Sequence, residues 1–355
     1  MRITNLMMMN NAIQNMADGQ EKISKLRERV ATQKQFQTAS EDPVHASASL
    51  SLRSNLRTLE AYADTAASTN NWMNTTDYAL NQLEEIGVQA SNIILRGLND
   101  SLSGSERYTA LRTEMLGLID KAVELGNSSV NGQFIFSGYQ IDQKPFDLTD
   151  YVPADYPLAI PNAQGGLTNE LPYVDYQGTP FTPKVLNYRG DTGIMQRTLG
   201  PDQTVPMNVR GDQAIQKFIE DLIVASNALA QNNIHDPATA PAYVAPYDTA
   251  PYNAAPYFSP ATLPTLQEAL TRVKSSSDIV NQFRTSNGAR MRQVDSASNF
   301  LETVKIETKN LLSQKEDTNM AEGIALLTNQ QTTFQAVLEV SQRAISALTL
   351  FDYMQ

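Results

Sequence analysis

The residues that could do chemistry in this chain are few and scattered. It has two histidines, His45 and His235, far apart, and no cysteine. Thiolate chemistry and a disulfide framework are therefore excluded, and two distant histidines make no convincing transition-metal site. No H-E-x-x-H helix is present, and no phosphate or dinucleotide loop: Gly132 and Gly138 lack the spacing, and Gly165–Gly166 is an isolated loop pair. No serine sits in a nucleophile elbow. The acidic pairs Glu84–Glu85 and Glu316–Asp317 read as solvated helix faces. Asp317–Thr318–Asn319 lacks the glycine and the closing glutamate of a calcium loop. His45 is expected on a solvated helix face one turn after Pro43, and His235 in the loop ending a helix over 212–232. The residues give no catalytic site, no cofactor site and no metal site, so the chain reads as a non-enzyme.

The bulk figures narrow the partners. At 355 residues, 41% hydrophobic and 18% charged, the chain suits a folded protein. A net charge of −11 and the lack of a Lys/Arg block argue against nucleic acid. Membrane insertion is not expected, because Asn, Gln, Ser and charged residues interrupt every helical segment. The opening MRITNLMMMNNAIQNM does not read as a cleavable signal peptide, since its apolar run Leu6–Met9 is too short.

What positions these residues is legible in the prolines. Of 17, all but Pro43 fall between Pro145 and Pro264. A proline inside a helix removes a hydrogen bond and clashes with the preceding turn, at about 3 kcal/mol. Both flanks are therefore free to be helical, and the middle is an insertion. The first segment carries apolar residues at alternating three- and four-residue steps: Leu6, Met9, Ile13, Met16, Ile23 and Val30, with Gln20 and Arg27 as polar members. The last repeats the pattern with Met320, Ile324, Leu327, Phe334, Leu338, Ile345 and Leu348, and with Gln331 and Ser341 as the polar members. Each helix is expected to run on the order of 30 residues, about 45–50 Å. One narrow stripe does not offset the entropy of ordering so long a helix, so the two need each other and further neighbours from other subunits. The thirteen apolar residues of the two seams form the candidate assembly interface.

Between the flanks, Ser40, Asp42 and Pro43 mark a turn and a helix restart, with Asp42 as N-cap and Pro43 at the first helical position. The second helix is expected to reach Leu98. A Ser103–Glu106 capping box opens a third. Beyond the insertion a helix starts near Leu266 and continues past Leu311, with Gly288 marking a close contact or an irregularity. Asn131–Tyr139 reads as turn, short strand, turn, and Leu186–Tyr188 and Val205–Val209 as short strands. Asp212 is expected to cap a helix presenting Ile215, Phe218, Leu222, Ala225 and Leu229 on one face. Ala-Pro-Tyr recurs at 245–247, 250–252 and 255–257, which reads as an extended surface loop.

The fold class is thus mainly α: a long antiparallel helical bundle with heptad-patterned termini and a small inserted β-rich outer domain. Residues 1–42 and 316–355 form the terminal assembly helices. Residues 43–147 and 265–315 form the bundle. The insertion is 148–264, with one helix (212–232) and a Pro/Tyr-rich loop (237–264).

Several segments resemble the bacterial flagellins and their junction relatives. They are the Met1–Arg2–Ile3–Thr4 opening, Val30–Ser47 (VATQKQFQTASEDPVHAS), and Asn131–Tyr139 (NGQFIFSGY). Val209–Asp212 (VRGD), Arg284–Asp295 (RTSNGARMRQVD) and Glu316–Glu322 (EDTNMAE) continue the series in order. The likeness covers roughly 1–147, 205–232 and 265–355, and the ending Leu348–Phe351–Asp352–Tyr353 points to the junction branch. Gln33 stands where the family usually has Gly, Ala39 where Pro is frequent, and Asn319 where Asp is common. The resemblance implies a secreted structural protein, exported unfolded and uncleaved through the flagellar channel. Its terminal helices would order on assembly and line the tube. Its implied partners are further copies of itself, another hook-associated protein on the hook side, flagellin on the filament side, and a cytoplasmic export chaperone. The alternatives are a filament subunit and, less expected, a secreted enzyme on this scaffold.

Overall fold

The first element, α1 (Arg2–Thr32), contains no proline and stops where Gln33 takes a left-handed backbone, φ 59°. A residue in that conformation just past the last turn is a common way to end a helix. The computed structural model describes residues 2–99, 105–150, 160–161, 167–168, 173–175, 183–234 and 265–353. The Ala-Pro-Tyr repeat, His235 and Ser103 of the capping box lie outside them.

Among the described residues five more α-helices follow: α2 (Pro43–Leu98), α3 (Ser105–Gly126), α4 (Lys217–Ile234), α5 (Leu266–Glu316) and α6 (Met320–Tyr353). Pro43 opens α2 as its position predicts, and Asp42 Oδ1 accepts the His45 N–H at 3.0 Å. The chain divides into two compact units, Met1–Ala61 with Leu301–Gln355, and Tyr62–Phe300. These bounds fall inside α2 and α5, which are continuous there, and not at the turns.

In the first unit α1 packs along α6. In the second, residues of α2, α3, α4 and α5 share one apolar core, with Leu83, Met115, Ile119, Leu222 and Val273 among its buried members. The strands among the described residues form small antiparallel sheets. β1 (Ser129–Val130) pairs with β2 (Gln133–Phe134), and β4 (Ile160–Pro161) with β5 (Leu167–Thr168). β7 (Pro183–Tyr188) lies between β3 (Phe146–Asp150) and β6 (Tyr173–Asp175), and β8 (Gln196–Gly200) pairs with β9 (Gln203–Pro206). Phe146 and Leu186 of the three-stranded sheet belong to the bundle's core.

Four details depart from the local expectations. Asp212 caps nothing through its side chain: it lies in a π-helical turn (Asp212–Gln216) and accepts a hydrogen bond from Arg210 Nε at 3.1 Å. α4 buries more than one face, because every residue from Asp221 to Leu229 is buried. A helix apolar nearly all round packs inside a bundle. β9 stops at Pro206, which has no N–H for a ladder, while Met207, Asn208 and Val209 continue buried, Met207 still donating its N–H to the Met195 carbonyl at 2.7 Å. Gly288 makes no close contact, since a Cβ there would stand 3.9 Å from its nearest neighbour.

Two motifs far apart in sequence meet in the second unit. The Phe136 carbonyl accepts the Gly211 N–H at 3.2 Å and the Tyr188 hydroxyl at 2.9 Å. Burial pushes the Tyr188 hydroxyl above its usual range, so it stays a donor. Asp191 Oδ1 accepts the N–H of Tyr139 (2.7 Å) and of Gly193 (2.8 Å), and the Asp191 N–H donates to the Ser137 carbonyl at 3.0 Å. The segments NGQFIFSGY and VRGD thus form one hydrogen-bonded knot beneath which Ile135 and Phe136 are fully buried.

Candidate assembly interface

α1 and α6 run antiparallel, which follows from Val30 and Phe334: the first stands 3.2 Å from where a Gly323 Cβ would be, the second 2.8 Å from a Gly19 Cβ. These two glycines let the backbones approach, and neither belongs to the apolar stripe. Of the candidate interface residues, Ile23 is buried, while Met16, Val30, Met320, Leu327, Phe334 and Leu338 are half-buried. Ile13 and Ile324 remain 54% and 50% exposed. The side chains of Leu6, Met9, Ile345 and Leu348 lie outside the described residues. Val340, outside the stripe, is 67% exposed on a groove of about 470 Å³ between the two helices, opposite Asn11, Ala12 and Asn15. A pair of helices 31 and 34 residues long thus buries few side chains fully. Isolated helices of this kind are marginal and need more apolar contact.

The turns that begin α2 and α6 are stapled together. Lys34 forms an antiparallel bridge with Asp317, the Gln35 N–H donates to the Glu316 carbonyl (2.7 Å), and the Thr318 N–H to the Gln33 carbonyl (2.9 Å). Side chains close the staple. Arg53 donates through Nε and Nη2 to the two Glu316 oxygens, both at 2.7 Å, and Lys34 Nζ reaches Asp317 Oδ1 at 2.6 Å and Glu316 Oε2 at 3.2 Å. The Glu316 side chain is 6% exposed. Arg53 and Lys34 hold its carboxyl below the usual carboxylate range, as Lys34 and Ser313 do for Asp317. Glu316–Asp317 is therefore no solvated face. Its cationic partners are 263 and 282 residues away, where no local pattern reaches.

In the restart turn, the Ser40 hydroxyl lies 3.0 Å from that of Thr38, and Asp42 Oδ2 stands 2.7 Å from His45 Nδ1. The His45 amide and ring lower the Asp42 carboxyl. His45 is half-exposed and engaged with the cap through Asp42. No group of three or more His, Cys, Asp or Glu fit to hold a metal occurs among the described residues. Among the described residues, no helix is long and apolar enough to cross a membrane.

Gln33 supplies a direct test of the staple's geometry. A side chain in the left-handed region costs about 1–2 kcal/mol, and glycine removes that strain at some expense in backbone entropy. Gln33→Gly is expected to raise stability by about 0.5 kcal/mol, read as a higher midpoint in thermal unfolding.

Residues 3–141 match the bacterial flagellin N-terminal helical region. Flagellar hook-associated protein 3 of Salmonella typhimurium is 29% identical over 148 residues, which are 41% of this chain and 46% of the relative. Its Escherichia coli namesake is 26% identical over 147 residues, again 41% and 46%. The matched stretch spans about half the length of these relatives. A flagellar hook-associated protein of Vibrio parahaemolyticus shares the fold with a TM-score of 0.54 at 15% identity, over 78% of this chain and all of that one. FlgL of Xanthomonas campestris does so with a TM-score of 0.51 at 14% identity, over 74% and 99%.

Proposed function

We propose that this chain, whose residues 3–141 carry a flagellin N-terminal helical region, is a non-enzymatic flagellar subunit that forms the layer joining hook to filament. The observation that carries this reading is the α1–α6 pair, which leaves Ile13, Ile324 and Val340 half or more exposed on helices that need further contact. Copies of the chain supply that contact: residues 1–42 and 316–355 are the assembly helices, and 43–147 with 265–315 the bundle that carries them. On this reading the neighbours are a hook-associated protein on one side and flagellin on the other. A cytoplasmic chaperone guards the C-terminal helix before export, and the mature subunit is secreted to the flagellum. Support comes from the similarity to hook-associated protein 3 over the matched region.

Deleting the gene is the deciding experiment. Non-motile cells with intact hooks that shed flagellin into the medium are expected, whereas cells that keep their filaments would overturn the junction role. At the level of residues, Ile13→Asp with Leu338→Asp is expected to abolish assembly of the purified chain in sedimentation while the bundle keeps its helical circular-dichroism signal. A charge at each position removes apolar contact and adds an unpaired buried charge in the polymer.

A further inference from the structure

Within Tyr62–Phe300, α5 lies antiparallel to α2. Asn70 Nδ2 donates to Asp295 Oδ1 at 2.8 Å, and Arg284 Nη1 to Glu84 Oε2 at 2.7 Å. The apolar stripes of the two helices do not by themselves select this alignment. Leu80, Leu83 and Ile86 on one and Val273 and Val280 on the other recur at helical spacing, so sliding by one turn, about 5.4 Å, sets aliphatic against aliphatic again. Nor does Arg284 select it, because it reaches both Glu84 and Asp77 (3.5 Å to the latter), two turns apart.

Two other contacts are singular. Ser277 fills the space beside Gly87: a Cβ on Gly87 would stand 2.6 Å from its Oγ. Asn287, fully buried, donates from Nδ2 to the Met73 carbonyl at 3.0 Å, and its Oδ1 has no hydrogen-bond partner. A buried amide with one unpaired oxygen costs stability, yet it stands between two apolar clusters, with Val280 and Phe283 on one side and Met291 and Val294 on the other. In paired helices such a residue selects register at the expense of stability.

We propose that Asn287 and the Gly87–Ser277 notch are the register key of the α2–α5 pair. A slip of one turn presents Ser277 with Leu83 or Ser91, whose side chains close the notch, and takes the Asn287 amide off the Met73 carbonyl. The inference concerns one chain by itself and does not rest on the flagellar reading.

The absence of cysteine makes the test clean. Asn70→Cys with Asp295→Cys, joined by a short bifunctional thiol reagent, reports the native register. Asn70→Cys with Arg292→Cys or with Asn299→Cys reports a slip of one turn either way. In the otherwise unchanged chain the first pair closes almost completely and the slipped pairs close only at a low background level. With Asn287→Leu added, closure of a slipped pair is expected to rise roughly five- to tenfold, the equivalent of one neutral hydrogen bond, with no fall in the unfolding midpoint. Adding Gly87→Ala raises it further. If the combined variant does not fold, the single one decides. A folded Asn287→Leu chain with slipped closure unchanged, or with a lowered midpoint and native closure only, overturns the proposal and assigns register to the apolar packing.

Discussion

Replacing Gly138 with alanine is expected to lower the free energy of unfolding by about 3–5 kcal/mol, the range of substitutions that combine backbone strain with a core clash. The backbone there has φ 73°, and the new Cβ would collide with Asp191 Oδ1 and stand 2.6 Å from the Asp191 carbonyl oxygen. Asp191 has little freedom to withdraw. Its Oδ1 holds two N–H groups, its own N–H is bound to Ser137, and the Tyr188 hydroxyl lies 3.3 Å from its carbonyl. Displacing it opens the knot over Ile135 and Phe136. Gly132→Ala is the control. That residue has φ 80° with nothing within reach of a Cβ, so only the backbone strain of about 1–2 kcal/mol is expected. Urea unfolding followed by circular dichroism separates the two, and equal midpoints for both variants would refute the clash.

Removing the carboxylate of Glu316 is the second large effect. Glu316→Ala is expected to cost about 2–3 kcal/mol at neutral pH, since it deletes charge-assisted hydrogen bonds from Arg53 and Lys34. The cost stays below that of a fully buried pair because the Arg53 side chain left behind is 53% exposed and regains water. The same staple gives an acid response. Glu316 and Asp317 are both held below their ordinary values of 4.5 and 3.8, so near those values the unfolded chain binds more protons than the folded one. Their stabilisation is complete above about pH 5 and declines as pH falls through the lowered folded values. Amide exchange at Gln35 and Thr318, whose N–H groups bridge the two turns, reads it locally. Faster exchange on acidification is expected in the parent chain and a flatter profile in Glu316→Ala. Identical profiles would show that the carboxylates do not hold the turns.

Much of this architecture is local and could be read from residue order. Proline spacing leaves two flanks free to be helical because each proline acts on its own turn, and the observed helices fill those flanks. Asp42–Pro43 starts α2 through contacts three residues long. The lack of cysteine follows from composition, and that of metal-ligand spacing and of a phosphate loop from residue order. What stayed hidden depends on residues remote in sequence. Nothing near Glu316 shows that Arg53 will bury it, and the stripe in α1 does not reveal that Gly19 and Gly323 let the helices close. α4 reads locally as a one-faced amphipathic helix, and only the surrounding α3 and core show that several of its faces are covered. Periodicity reports forces between residues three or four apart, and it fixes helix type and extent. Register, burial of charge and the meeting of Phe136 with Gly211 are set by close approach of distant segments, where excluded volume and hydrogen-bond geometry admit one arrangement.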